Sequence, residues 1–263
     1  MRSPVAEPTS IALAARRLAA AGEHSCAIDQ NGAVLCWGNN ERGQLGLGGV
    51  FDSVEPVLLS TPEACTELDV GATHSCAVLS DGSVWCWGDN SAGQLGREPQ
   101  TLRLGIGPMT KATEVEQVSC GFEHSCVLYR DGRVGCVGAN TLGQLGDGTT
   151  TSRAELVLVE GLPEVQKVLA GFQQSYALLL DGRLAFWGSS FDGMAGDGEG
   201  AVRTKPMILD GLGRVVDVQA GARHVCVLLA NGELWCSGAN ELGQCGVAQG
   251  QAPSVREILL DSL

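Results

Sequence analysis

Residues 71–96 read GATHSCAVLSDGSVWCWGDNSAGQLG, and the same pattern returns every 50 residues along the chain. The period holds without slippage through five copies, which predicts a repeat architecture. All the histidines occupy one position of the pattern, and glycine holds in every copy at several positions, of which three illustrate the spacing. These columns are His24, His74, His124 and His224; Gly32, Gly82, Gly132, Gly182 and Gly232; Gly38, Gly88, Gly138, Gly188 and Gly238; and Gly43, Gly93, Gly143, Gly193 and Gly243.

The repeat begins with the pattern of a β-hairpin. Residues 76–79 predict one strand, residues 80–82 a turn, and residues 83–86 the returning strand. If Cys76 opposes Cys86, the loop has three residues and ends on Gly82, which suits a type I turn followed by a left-handed residue. Residues 67–70 and 56–59 predict two further strands. Four short strands in each repeat are typical of a β-propeller blade.

These motifs resemble the regulator of chromosome condensation repeat. The shared pattern is Gly-x-x-His-Ser-x-Ala-Leu, then Gly-x-Val-x-x-Trp-Gly-x-Asn, then Gly-Gln-Leu-Gly, and it covers essentially the whole chain. The resemblance implies an all-β propeller whose blades are four-stranded antiparallel sheets. Members of the family usually have seven blades, whereas five repeats are visible here.

The repeats divide a single propeller domain, residues 1–263, into blocks of approximately 1–50, 51–100, 101–150, 151–200 and 201–250. Residues 251–263 begin a sixth copy and supply one strand, residues 255–260. The matching stretch at the start contains Pro4 and Pro8, which makes it a poor strand. We therefore expect the C-terminal strand to pair beside the first repeat and close the ring. The alternative is a fragment of a larger ring.

Eight of the 11 cysteines form pairs that lie ten residues apart and directly across the predicted hairpin. In the fourth repeat both positions change together, to Tyr176 and Phe186, which indicates that the two positions touch. Three interpretations stay open: a disulfide in each hairpin, reduced cysteines packed as small apolar residues, or a zinc site. The pairs are Cys26/Cys36, Cys76/Cys86, Cys126/Cys136 and Cys226/Cys236, and Cys65, Cys120 and Cys245 are left over.

Paired cysteines favour an oxidising compartment. We therefore expect an extracytoplasmic or secreted protein of bacterial type, although the sequence shows no signal peptide. The alternative is a cytoplasmic protein whose thiols stay reduced.

Composition and motifs argue against several functional classes. The net charge is −13, and the sequence has no cluster of basic residues beyond the pair Arg16 and Arg17. We therefore expect no nucleic-acid partner. No apolar stretch is long enough to span a membrane.

We expect no cofactor and no metal, because Gln174 replaces histidine in the fourth repeat and an amide is a poor metal ligand. The histidines are expected to make structural hydrogen bonds, and the tryptophans to pack between blades.

These observations predict a non-catalytic, monomeric protein-binding scaffold. The alternatives are an exchange factor for a small GTPase, by analogy with some family members, and an enzyme with a site at the ring opening. The segments that follow Gly-Gln-Leu-Gly differ in every copy and should gather on one side of the ring, which suits one asymmetric protein partner. The candidate partner-binding residues on these segments are Phe51, Arg97, Arg103 and Arg203.

Overall fold

The computed structural model describes residues 14–99, 104–195, 200–246 and 256–258. These residues form five four-stranded antiparallel sheets, which are the five blades of a β-propeller. The predicted fold class is confirmed. In the described ranges the helical content is one short 3-10 turn, Phe191–Gly193.

Each blade is built from four strands that follow one another in the chain and pair with their sequence neighbours. Blade 1 contains β1 (Ala15–Ala21), β2 (His24–Asp29), β3 (Val34–Gly38) and β4 (Ser53–Leu58). Blade 2 contains β5 (Cys65–Val70), β6 (His74–Leu79), β7 (Val84–Gly88) and β8 (Leu104–Pro108). Blade 3 contains β9 (Val115–Cys120), β10 (His124–Tyr129), β11 (Val134–Gly138) and β12 (Arg153–Leu158). Blade 4 contains β13 (Val165–Ala170), β14 (Gln174–Leu179), β15 (Leu184–Ser189) and β16 (Val202–Ile208). Blade 5 contains β17 (Val215–Ala220), β18 (His224–Leu229), β19 (Leu234–Gly238) and β20 (Arg256–Ile258).

The hairpin has the predicted register. Cys76 lies opposite Cys86, and the turn between β6 and β7 closes with a hydrogen bond from the Gly82 amide to the Leu79 carbonyl at 2.9 Å. Gly82 has φ +81°, in the left-handed region that glycine adopts without steric cost. The Asp81 carboxylate accepts from the Ser83 amide at 2.9 Å, so the side chain before the glycine also fixes the turn.

The outer strand of each blade comes from the residues that follow its own hairpin. Ser53–Leu58 therefore completes blade 1, and residues 256–258 complete blade 5 by pairing with β19. The prediction that residues 255–260 pair beside the first repeat is wrong for residues 256–258, and residues 255, 259 and 260 lie outside the described residues. Blade 1 has four strands without this segment. The physical reason is connectivity: β1 precedes the first hairpin and supplies the inner strand, so within each blade every strand pairs with its neighbour along the chain.

Adjacent blades pack face to face, and this contact forms the hydrophobic core. We call the side of a blade that meets the following blade its front face, and the side that meets the preceding blade its back face. Because strand side chains alternate, Cys76 and Val78 face forward while Ala77 and Leu79 face backward. At the first junction the front face contributes Cys26, Ile28, Val34, Cys36 and Leu45, and the back face contributes Leu68, Val70, Ala77, Leu79 and Trp87.

The first strands of the blades lie innermost, around a central cavity. Residues just after β1, β5, β9, β13 and β17 line it, so all five blades contribute. The fourth strands lie outermost, and each leaves one edge without a strand partner among the described residues.

Gly88, at the end of β7, provides a test of how closely the repeat packs. Its φ is +102°, and a Cβ atom there would lie 2.6 Å from the Thr73 carbonyl oxygen and 2.8 Å from the His74 Cα. Gly88→Ala is therefore expected to lower the free energy of unfolding by about 3 kcal/mol in urea denaturation. Gly105→Ala, in the outer strand of the same blade, meets nothing within 4 Å and should change stability by less than about 1 kcal/mol. Equal losses in the two variants would contradict the packing described here.

Candidate partner-binding surface

The segments between the third and fourth strands are held rigidly at their bases. In blade 1 the Asn40 side chain accepts from the Leu45 amide at 2.9 Å and donates to the carbonyls of Gly49 and Phe51, each at 3.1 Å. Asn90 and Asn140 make the corresponding bonds in blades 2 and 3. A buried amide therefore bridges both ends of the segment, as the turn chemistry of Trp-Gly-x-Asn suggests.

The four candidate residues on these segments have different surroundings. Phe51 is 84% exposed although its carbonyl is held by Asn40, so a rigid loop presents an apolar ring to solvent. Arg203 is half-buried at the junction of blades 3 and 4, where its carbonyl lies against Gly143. Arg103 lies outside the described residues.

Arg97 is engaged inside its own blade. Its Nη2 donates to the carbonyls of Cys86 and Gly105, both at 3.1 Å. Burial lowers the pKa of this guanidinium. Arg97 therefore anchors its loop to the blade, and reversing its charge would disturb the loop itself. A contribution to partner binding stays a prediction.

A polar network repeats inside the junctions between blades. At the first junction His24 Nε2 lies 2.8 Å from Ser75 Oγ, which donates to the main-chain carbonyl of Gln44 at 3.1 Å. The Trp87 Nε1 donates to the same carbonyl at 2.8 Å. Because the single serine proton goes to the carbonyl, the serine oxygen must accept from the histidine, which fixes the Nε2–H tautomer. The same histidine–serine pair recurs as His74–Ser125 and His124–Ser175, and Trp187 donates to Gln144.

The fourth junction lacks both members of this pair. Gln174 stands in the histidine position, and Val225 stands where the serine would lie. The two exchanges together show that the histidine and serine positions act as one contact across the junction. The structural roles predicted for the histidines and for Trp87 and Trp187 agree with this network, since both tryptophans are fully buried between blades.

Burial strongly disfavours the charged form of these histidines. It lowers the pKa of His24 to about 4, of His74 to about 3 and of His124 to about 4. The imidazoles are therefore neutral near pH 7, in keeping with the tautomer that the network requires.

Asp69, on the inner strand of blade 2, has the opposite shift. Its carboxylate accepts from Ser119 Oγ at 3.0 Å and from the Cys120 amide at 2.8 Å across the junction with blade 3. Burial raises its pKa to about 6 in spite of these bonds.

The cysteine pairs are bonded as disulfides in each of the four hairpins where they occur: Cys26–Cys36, Cys76–Cys86, Cys126–Cys136 and Cys226–Cys236. The Tyr176 and Phe186 rings occupy the same place in blade 4, with centroids 5.3 Å apart, so the predicted contact between the two positions is confirmed. Cys65, Cys120 and Cys245 are free and buried.

In the described part of the chain, one cluster brings together three side chains that could ligate a metal: His74, Cys76 and Cys120. Cys76 is already bonded to Cys86, so this cluster offers no thiolate from Cys76 while the disulfide is intact. The arrangement does not fit a zinc site in the oxidised protein.

Among the described residues, two blade faces have no covering blade. Leu18, on the back face of blade 1, is 69% exposed, whereas Val118 and Val168 at the same position are buried. Val54, where the preceding blade would pack, is 95% exposed. On the front face of blade 5, Leu228 is 40% exposed, although Leu128 is fully buried.

The polar groups of these faces match the interior junctions. Ser25 and Trp37 occupy the serine and tryptophan positions on the back of blade 1, and His224 the histidine position on the front of blade 5. None of their side chains has a hydrogen-bond partner among the described residues, in contrast to Ser75, Trp87 and His74. Sequence reasoning identified Phe51 but missed Leu18 and Val54, because nothing local distinguishes them from their buried equivalents.

The buried titrating groups predict opposite effects on the pH dependence of stability. The histidines have lowered pKa values, so their contribution is present above pH 6.5 and is lost as the pH falls towards 4. Asp69 has a raised pKa, so its contribution is present below pH 3.8 and is lost as the pH rises through about 6. Between pH 6 and 4.5 the free energy of unfolding should therefore fall less steeply on acidification in His74→Gln than in the wild type. The expected difference in slope is about 1 kcal/mol per pH unit.

The measurement is urea denaturation at several pH values. In Asp69→Asn the free energy of unfolding should fall more steeply on acidification than in the wild type, by a similar amount. The amide oxygen can still accept from Ser119 and Cys120, so the junction is kept while the titration is removed. Parallel stability curves for the wild type and both variants would contradict the assigned protonation states.

No helix in the described ranges has the length and apolar character needed to cross a membrane.

Similar proteins of known structure share the propeller. Human WBSCR16 superposes with a TM-score of 0.83 at 24% identity, over 94% of this chain and 68% of that chain. Yeast RCC1 (Prp20), solved with Kap60 bound, gives a TM-score of 0.82 at 21% identity, over 92% of this chain and 59% of that chain. Saccharomyces cerevisiae Prp20p gives 0.77 at 23% identity, over 92% of this chain and 62% of that chain.

These coverages mean that the chain spans about three fifths of the yeast proteins it resembles. In sequence, human RCC1 domain-containing protein 1 is 35% identical over 71 residues, which are 27% of this chain and 19% of that protein. The family model of the RCC1-like domain matches residues 2–260. With five blades of the repeat in place and a family match over nearly its whole length, the chain belongs to the RCC1-like domain family.

Proposed function

We propose that this protein is a non-catalytic protein-binding propeller whose partner contacts the exposed apolar surface of blade 1, defined by Leu18, Phe51 and Val54. The observation that carries the proposal is the exposure of these three side chains, at 69%, 84% and 95%. Grouped exposed apolar side chains mark interaction sites more often than single ones do, and Leu47, Val50 and Leu58 of the same blade are exposed as well.

The backbone that presents these residues is already fixed. Leu18 lies in β1 and Val54 in β4, and both strands are hydrogen-bonded within the blade. Asn40 holds the Phe51 carbonyl. A partner therefore orders little of the propeller when it binds, so more of the free energy of apolar burial is available as affinity.

Proteins with the same fold support the choice of a protein as the partner. Yeast RCC1 has been solved in complex with Kap60, and the structure of Prp20p was described together with its binding to Gsp1p and histones. These partners belong to those proteins. For this chain they support the class of partner, and a monomeric propeller binding another protein is the form that we propose.

The four hairpin disulfides support a location in an oxidising compartment, and an extracytoplasmic or secreted protein is part of the proposal. Each bond closes a hairpin that is already paired, so it favours the folded blade over the unfolded chain.

Capture of binding proteins from the native organism by the immobilised chain tests the proposed surface. The variant Leu18→Glu/Phe51→Ala/Val54→Glu should lose at least about tenfold in capture, since removing central apolar contacts typically costs 2 kcal/mol or more. Its melting temperature should stay close to that of the wild type, because these side chains are solvent-exposed.

The matched control is Leu180→Glu/Leu242→Glu, which changes exposed leucines at hairpin and loop turns of blades 4 and 5. It should retain capture. Full capture by the blade 1 variant would refute the proposed surface, and accelerated nucleotide release from a captured GTPase would favour the exchange-factor alternative.

A further inference from the structure

Cys120 occupies an unusual place in the repeat. It ends β9, the inner strand of blade 3, and its thiol donates to the Asp69 carbonyl of blade 2 at 3.5 Å. The other repeats carry alanine or valine at this position, namely Ala20, Val70, Ala170 and Ala220. Blade 3 therefore places a buried thiol where the other blades have an inert side chain.

A disulfide of the neighbouring blade lies beside this thiol. The sulfur atoms of Cys120 and Cys76 and one ring nitrogen of His74 all lie within 4.8 Å of one another. Cys76 is bonded to Cys86 on the front face of blade 2, and both belong to the same buried cluster as Cys120. A free thiol thus packs directly against a disulfide across a blade junction.

The third member of the cluster is a neutral imidazole. His74 is fully buried and neutral near pH 7, and its Nε2–H donates to Ser125. Its Nδ1 consequently carries a lone pair, and this atom has no hydrogen-bond partner. The junction therefore brings a thiol, a disulfide and a neutral imidazole together in one buried cluster.

We propose that this cluster is a site of internal thiol–disulfide exchange, in which Cys120 displaces Cys86 from Cys76. The Cys120 thiolate attacks the Cys76 sulfur, a Cys120–Cys76 bond forms, the Cys76–Cys86 bond breaks, and Cys86 leaves as a thiolate. The proton lost by Cys120 ends on Cys86, so the step balances in charge and in protons. One disulfide is consumed and one is formed, so the step needs no oxidant or reductant.

The exchange converts a bond within blade 2 into a covalent link between blades 2 and 3. Burial and the Asp69 charge raise the pKa of the Cys120 thiol well above its usual value, so the attacking thiolate is scarce at neutral pH. The exchange is consequently slow at neutral pH and becomes faster as the pH rises.

Thiol mapping of the unmodified wild type tests the exchange. The oxidised protein is held at pH 9, quenched in acid, unfolded, alkylated and digested without reduction. We expect Cys65 and Cys245 to be alkylated in every molecule. The third alkylated cysteine should be Cys120 in some molecules and Cys86 in the others. The molecules alkylated at Cys86 should give a peptide in which Cys76 is bonded to Cys120. Alkylation of Cys120 in all molecules, with none at Cys86, would overturn the proposal.

A second experiment traps the product. In Cys86→Ser, mild oxidation with oxidised glutathione should give the Cys76–Cys120 bond in most molecules, whereas Cys86→Ser/Cys120→Ala should leave Cys76 free. Free Cys76 and Cys120 in Cys86→Ser, in protein whose other three disulfides have formed, would also overturn the proposal.

Val70→Cys/Cys36→Ser places the same pair of thiols at the junction of blades 1 and 2. It should link Cys26 to the new cysteine, since Val70 and Cys26 lie in one buried cluster. Failure of this variant to form the link would show that the position alone does not suffice, and would remove the geometric basis of the proposal.

Discussion

The contact of one blade's front face with the next blade's back face is the interaction on which the rest of this structure depends. A single four-stranded sheet has no interior, so each blade buries its apolar side chains only against a neighbour. The first junction combines apolar packing with a polar network in which His24, Ser75 and Trp87 are linked through the Gln44 carbonyl, and the histidine–serine pair recurs at the second and third junctions. This network also sets the spacing of the blades, since its hydrogen bonds require one geometry.

The need for blade-to-blade contact also explains the exposed apolar side chains on the two faces that have no neighbour among the described residues. The back of blade 1 and the front of blade 5 carry the side chains of an interior junction, including Ser25, Trp37 and His224, yet they meet solvent. Leu18 and Val54 are therefore exposed by their place in the ring, not by their chemistry. A scaffold that buries its repeats in series carries the same cohesive surfaces on blades 1 and 5 as on the blades between them.

Local features of the sequence were sufficient to predict the blades. The hairpin register follows from the ten-residue spacing of Cys76 and Cys86 and from Gly82, whose left-handed backbone terminates the turn. The joint exchange to Tyr176 and Phe186 located a contact within a single chain. The fold class could thus be predicted from turn chemistry and strand pattern together with the 50-residue period.

Other features depend on contacts between residues far apart in the chain, which a repeat pattern does not encode. The fourth strand was assigned to the wrong blade at the chain end, because it is joined to its hairpin by a longer segment whose direction no local motif specifies. The sequence suggests a free cation at Arg97, but its Nη2 donates to two carbonyls of its own blade. The meeting of Cys120 with Cys76 is likewise created only by the junction between two blades.

Residue-resolved amide hydrogen exchange tests most directly whether blade-to-blade contact is the source of stability. Strands β2, β10 and β18 each have hydrogen-bonded partners on both sides, but β10 lies in a blade covered on both faces, while β2 and β18 lie in blades with one uncovered face. The account predicts that amides of β10 exchange at least about tenfold more slowly than the corresponding amides of β2 and β18. Equal protection of the three strands would show that each blade is stabilised by its own sheet, and would contradict the account.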